Sequence, residues 1–174
     1  MFDLDKEVKE LVKEYGLKNG CNLGHFVLDA KDSLGAVHRV LIEMHMILKN
    51  AHYASGRGED EWKKYKNTWI VVNKLILENL EACDRSIDDL DKRFNSVLSL
   101  VSEHQESRYH FDRIFTLCKK NTIRLISSIS GHNILVLLMH EVMALNAKQA
   151  KPKLEKITKF VFSLIELITN KSSE

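Results

Sequence analysis

The chain has 174 residues, 44% hydrophobic and 29% charged, with 26 basic residues set against 24 acidic ones for a formal net charge of +2. That balance is too apolar for a disordered chain, and charges so interspersed carry no electrostatic signature of a nucleic-acid binder. A chain of this length buries about 70% of its unfolded surface around one core, so a single domain over residues 1–174 suffices.

One proline and seven glycines are far fewer breaks than strands and their turns use, so helix is expected almost throughout. Cys21, Cys83 and Cys118 form an odd set with no close pair. They supply neither a disulfide framework nor a C-x-x-C motif, which points to the cytoplasm or another reducing intracellular compartment. The N-terminus carries acids from Asp3 and lacks the apolar run of a signal peptide. No apolar run reaches the about 20 residues that span a bilayer.

In chain order, Leu4, Val8, Leu11, Val12 and Tyr15 recur at helical spacing, with Asp3 as N-cap and Gly16 just past the end, which predicts a first helix over Asp3–Tyr15. LKNGCNLG, residues 17–24, reads as a loop because two Gly and two Asn break any period. From His25 to Tyr53 the pattern is helical again, and Gly35 near its start marks a possible kink that would make two helices of the stretch. Leu34, Val37, Leu41, Met44, Leu48 and Ala51 alternate by three and four, the spacing of a buried bundle seam. Ser55–Asp60, SGRGED, is a short loop, so the next helix is expected antiparallel. Trp62, Tyr65, Trp69, Val72, Ile76, Leu80 and Cys83 mark its buried stripe, with Lys63, Lys64, Lys66 and Lys74 on the other side.

Ser86 and Asp89 form a capping box ahead of Leu90, Phe94, Val97 and Val101, predicting a fourth helix. EHQESR, residues 103–108, interrupts the apolar face before Phe111, Phe115 and Cys118, so a break is expected there. Asn121 or Thr122 caps a short helix that Gly131 ends. The next helix, about 133–146, is the natural centre of the fold: Ile134 to Met139 are apolar in every direction around the axis, and such a helix must be covered by others. After AKQAKP, Pro152 suits the first turn of a last helix striped by Leu154, Ile157, Val161, Leu164 and Ile168, with KSSE fraying at its end. The expected fold is all-α, a single-domain bundle of six to eight helices packed around the central apolar helix.

Eight histidines are the one compositional oddity. His38, His45 and His52 sit seven residues apart and so lie almost in line on a helix. Seven residues rise about 10.5 Å, too far for two to share one ion, so a metal would need further ligands from other helices, with Glu43, His104, His110 and His140 as the supply. Neither Glu-x-x-His nor His-Glu-x-x-His occurs. Glu106 and His110 make an i,i+4 pair of the kind that serves acid–base chemistry or, more commonly, a surface ion pair. Lys148, Lys151, Lys153, Lys156 and Lys159 crowd the start of the last helix, an arrangement suited to phosphates, anionic lipid or simply a solvated face.

With no G-x-S-x-G, glycine-rich phosphate loop or paired cysteine motif, the preferred reading is non-enzymatic and needs no cofactor. The chain is expected to bind a protein partner, through an inter-helix groove that takes an amphipathic helix and is lined by Leu41, Met44, His45, Leu48 and His52. Met44, Met46, Met139 and Met143 supply adaptable side chains for it. Two other readings stand beside this one. One is a histidine-based metal- or haem-binding protein or enzyme; the other is a binder of nucleic acid or anionic lipid through Lys148, Lys151, Lys153 and Lys156. In plan, amphipathic helices around a central apolar one introduced by a short helix and a glycine are similar to apoptosis-regulator bundles. GHN stands where those proteins carry Asn-Trp-Gly-Arg, so no partner is carried over from them.

Overall fold

The computed structural model of the chain describes residues 2–82 and 122–172. Within them lie six α-helices: α1 Leu4–Tyr15, α2 Lys18–Asp29, α3 Leu34–Gly56, α4 Glu59–Ala82, α5 Thr122–Met143 and α6 Ala147–Ser172, with a 3-10 turn at Lys31–Ser33. No strand occurs among the described residues, and the all-α bundle expected from the sequence is what they form. The helix predicted after Ser86, and the break over residues 103–108, lie outside the described residues.

α1 follows its local signals closely. The Asp3 carboxylate accepts from the Lys6 backbone N–H at 3.2 Å, and Gly16, at φ 57°, donates its N–H to the Val12 carbonyl at 3.1 Å. Only the left-handed conformation lets the chain end the helix this way, and glycine adopts it without a Cβ clash.

The loop expected over residues 17–24 is instead the first half of α2. Tertiary packing overrides the glycines: Leu23 and Val27, one turn apart, are fully buried, and Gly24 lies against α1. A Cβ at position 24 would stand 2.9 Å from Val12 Cγ2 and 3.3 Å from Val8 Cγ1, so the residue read as a breaker is what lets the two helices touch. The stretch from His25 is two helices, the alternative the sequence allowed, but the division falls at Ala30 and the 3-10 turn rather than at Gly35, which lies in the first turn of α3. The SGRGED loop shrinks to Arg57 and Gly58, because α3 runs on to Gly56 and α4 starts at Glu59. Gly58, at φ 115°, makes the reversal and accepts the Trp62 N–H at 3.0 Å.

α5 runs without interruption through Gly131, where a helix end was expected. A glycine inside a helix costs only about 1 kcal/mol relative to alanine, less than the packing of a 22-residue helix supplies. The helix touches α2, α3, α4 and α6, and Leu135, Leu138, Met139 and Val142 are buried. Leu137 is 47% exposed, so the run that is apolar in all directions is dry on one side only. The direction follows from its neighbours. Asn133 and His140 share that side at helical spacing and are exposed. Turning it inward would bury two polar groups in need of partners, which outweighs the about 1.5–3 kcal/mol gained from one leucine.

The last helix starts five residues before Pro152 rather than just ahead of it. The signal is a capping box in NAKQ: the Asn146 carboxamide accepts from Gln149 N–H at 2.9 Å, and Asn146 N–H reaches the Gln149 side chain at 3.4 Å. The Glu59 carboxylate accepts from Ala147 N–H at 2.7 Å, which ties the start of α6 to the start of α4. The same end of α4 holds the α5–α6 turn. The fully buried Trp62 donates its indole N–H to the Leu145 carbonyl at 2.9 Å, and Lys66 Nζ donates to that oxygen at 3.2 Å while lying 5.7 Å from the indole centre.

The most extensive pairing in the bundle is α3 with α6, followed by α3 with α5; α1 packs on α6 and α2, and α4 on α3 and α6. One core joins them all.

Two variants separate packing from breaking. Gly24→Leu should lower stability by about 1–3 kcal/mol through overpacking against Val8 and Val12. Gly35→Ala, with nothing within 4 Å of its added Cβ, should be neutral or stabilising by up to about 1 kcal/mol. Urea titration followed by far-UV circular dichroism reads both. Trp62→Phe, which removes one of the two donors to Leu145, should cost about 1–3 kcal/mol in the same assay.

Candidate binding surface

α3 supplies all five residues expected to line the partner groove, Leu41, Met44, His45, Leu48 and His52, and the fold divides that set in two. Leu41, Met44 and Leu48 are buried in the common core with Val37, Val40, Ile47 and Ala51. The apolar seam the sequence offers to a partner is therefore occupied within the chain, by Leu154, Ile157, Val161, Leu164 and Ile168 of α6 and by the buried side of α5. His45 and His52, together with His38, are half-buried along the edge of the seam.

That edge has a fixed antiparallel register. His38 Nε2 lies 3.2 Å from Thr169 Oγ1, the His45 ring lies 5.5 Å from the Phe162 ring at 36°, and Gly56 faces the Lys151 side chain. Each seven-residue step along α3, from His38 to His45, is answered by a seven-residue step back along α6, from Thr169 to Phe162. The next step sets His52 across from Glu155. A heptad drifts by only about 20° on a helix, which keeps all three histidines on one edge.

Their environments differ. Thr169 Oγ1 donates its single hydrogen to the Ile165 carbonyl at 2.9 Å, so at His38 the imidazole N–H is the donor and the hydroxyl oxygen accepts. Burial holds the His45 ring below its ordinary pKa of 6.5, and the Lys49 ammonium one turn on adds to the effect. Among the described residues, the buried His52 Nε2 has no hydrogen-bond partner. Outside this row, Phe162 is 47% exposed beside His45. It was not marked by sequence reasoning: it lies off the buried stripe, one residue past Val161, and only the register brings it to a histidine.

The other sequence candidates do not join this edge. His140 is exposed on the outer side of α5, while His104 and His110, with Glu106, lie outside the described residues. Among the described residues no three His, Cys, Asp or Glu side chains gather closely enough to hold a metal. The lysine run is split by pairing. Lys153 meets Glu141 at 3.3 Å and Lys159 meets Glu155 at 3.6 Å, whereas Lys148, Lys151 and Lys156 are exposed. Among the described residues no helix is long and apolar enough to cross a membrane.

Comparison with protein-family models, curated proteins and solved structures finds no match to this chain.

The division of α3 into core and edge is measurable. Leu48→Ala should cost about 2–5 kcal/mol, as expected for a fully buried leucine. Phe162→Ala should cost less than about 1 kcal/mol, because much of that ring already faces water. Thermal or urea unfolding of the two variants gives the contrast.

Proposed function

We propose that this protein is a non-enzymatic helical interaction module that binds a protein partner, and that its contact surface is the outer edge of the α3–α6 seam. The observation that carries the reading is the exposed Phe162 ring, held against His45 on the most extensively packed pair of helices in the bundle. A half-exposed aromatic on a rigid frame gives a large apolar contact at little entropic cost, and polar groups around it supply direction; binding hot spots are commonly built this way. His38, Thr169, Lys49, His52 and Glu155 are those polar neighbours. The groove within the seam is already filled, so a partner approaches this edge from outside rather than replacing α6.

The surface is tested by affinity capture with wild-type protein, Phe162→Glu, and a triple Lys148→Glu, Lys151→Glu, Lys156→Glu variant, each first shown to keep its far-UV circular dichroism spectrum. A partner held by the wild type should be lost at least about tenfold by Phe162→Glu and kept by the triple variant, since one hot-spot side chain contributes 2 kcal/mol or more. Equal capture by wild type and Phe162→Glu rejects the α3–α6 edge. Loss on the triple variant alone moves the site to the lysine surface of α6.

A further inference from the structure

The α3–α6 pairing is edged by three ionisable rings in a row, of which His38 meets Thr169 and His45 meets Phe162 across the seam. We infer that the α3–α6 seam is an acid-sensitive joint, in which charging His45 and His52 weakens the hold of α6 on α3 while His38 tolerates the charge.

The inference rests on what each added proton would meet. At His38 the ring already donates from Nε2 to Thr169, and a cationic ring keeps that bond. At His52 the buried Nε2 has no hydrogen-bond partner among the described residues, so a proton held there would be desolvated without compensation from them. At His45 the ring is half-buried against Phe162, with Lys49 on its own helix one turn away. A cation above a phenyl ring gains about 0.5–1 kcal/mol when well placed, but burial and the Lys49 charge act against it. On α6 the charged groups to either side of Phe162 are Lys159, three residues back, and Glu166, four residues on. Glu155, across from His52, is already engaged by Lys159 at 3.6 Å. The two acids and two lysines nearly balance, so no surplus of negative charge awaits the new protons.

The direction follows from linkage. The folded chain holds His45 neutral below its ordinary value of 6.5, so the unfolded chain takes up the proton first as pH falls. This contribution to stability is complete above that value, declines as pH falls through it, and levels off once the folded ring is charged as well. Asp and Glu remain largely ionised across this window, so histidine accounts for the change.

Urea midpoints measured at about pH 7.5 and about pH 5.5 test the joint, the pH values bracketing the histidine range. The wild-type midpoint should fall at the lower pH, by less in His45→Phe and least in the His45→Phe, His52→Phe double variant. His140→Gln, which removes an exposed histidine away from the seam, should leave the fall unchanged. A fall as large in the double variant as in the wild type overturns the inference. Where the double variant does not fold, imidazole resonances of the wild type decide. His45 titrating at lower pH than the exposed His140 supports the joint, and His45 titrating with His140 or above it sinks it. Neither readout involves a partner, so failure here is distinct from failure of the proposed binding surface.

Discussion

The antiparallel seam between α3 and α6 is the constraint on which the rest of this structure depends. Val37, Leu41, Met44, Leu48 and Ala51 on one side and Leu154, Ile157, Val161, Leu164 and Ile168 on the other are all buried; α1, α4 and α5 are laid against this pair, and α2 packs on α1 and α5. α5 closes over α3, α1 packs along α6, and α4 reaches both. Each fully buried aliphatic side chain contributes about 1.5–3 kcal/mol of transfer free energy, so a seam of ten outweighs any single capping or charge interaction in the molecule. Because apolar contact is not directional, the register has to come from shape and from the edge, where His38 meets Thr169 and His45 meets Phe162.

The polar interactions that matter most lie where helices end. A helix start leaves four N–H groups without intrahelical partners, and α6 uses the Glu59 carboxylate for Ala147 and the Asn146 side chain for Gln149. Pro152 sits inside the helix, where it removes one backbone donor. The Leu145 carbonyl, at the turn between α5 and α6, is satisfied by Trp62 and Lys66 of α4. Side chains far apart in sequence therefore meet at one end of the bundle, and the first turns of α4 lock the turn that orients α6.

The proposed binding surface and the proposed acid-sensitive joint use the same edge for opposite physical reasons. Phe162 faces water because it lies just beyond the buried stripe, and the His45 ring is held below its ordinary pKa because it lies just within the margin of that stripe. A side chain on the rim of a helix pair is neither fully hydrated nor fully packed, so it can respond both to a neighbour and to a proton. The lysines of α6, by contrast, point to water or to nearby carboxylates, and exposed ion pairs of that kind contribute about 0–1 kcal/mol.

Among the described residues, local spacing alone determined the helical class, where α1 begins and ends, and which stripes of α3, α6 and the first half of α4 turn inward, because each of these rests on a period or a cap within a few residues. The Asn146–Gln149 capping box was equally local and was obscured by the proline that follows it. Tertiary structure decided the rest. It made a helix of the glycine-containing segment 18–24 by burying Leu23 and Val27 and pressing Gly24 onto Val12, and it carried α5 through Gly131. It also turned Leu137 outward with Asn133 and His140, filled the expected groove of Leu41, Met44 and Leu48 from within, and set His45 beside Phe162. The physical reason is common to all of them. A breaker costs about 1 kcal/mol and an exposed leucine a few, whereas the packing that overrides them is a sum over surfaces from distant parts of the chain, which no window of neighbouring residues contains.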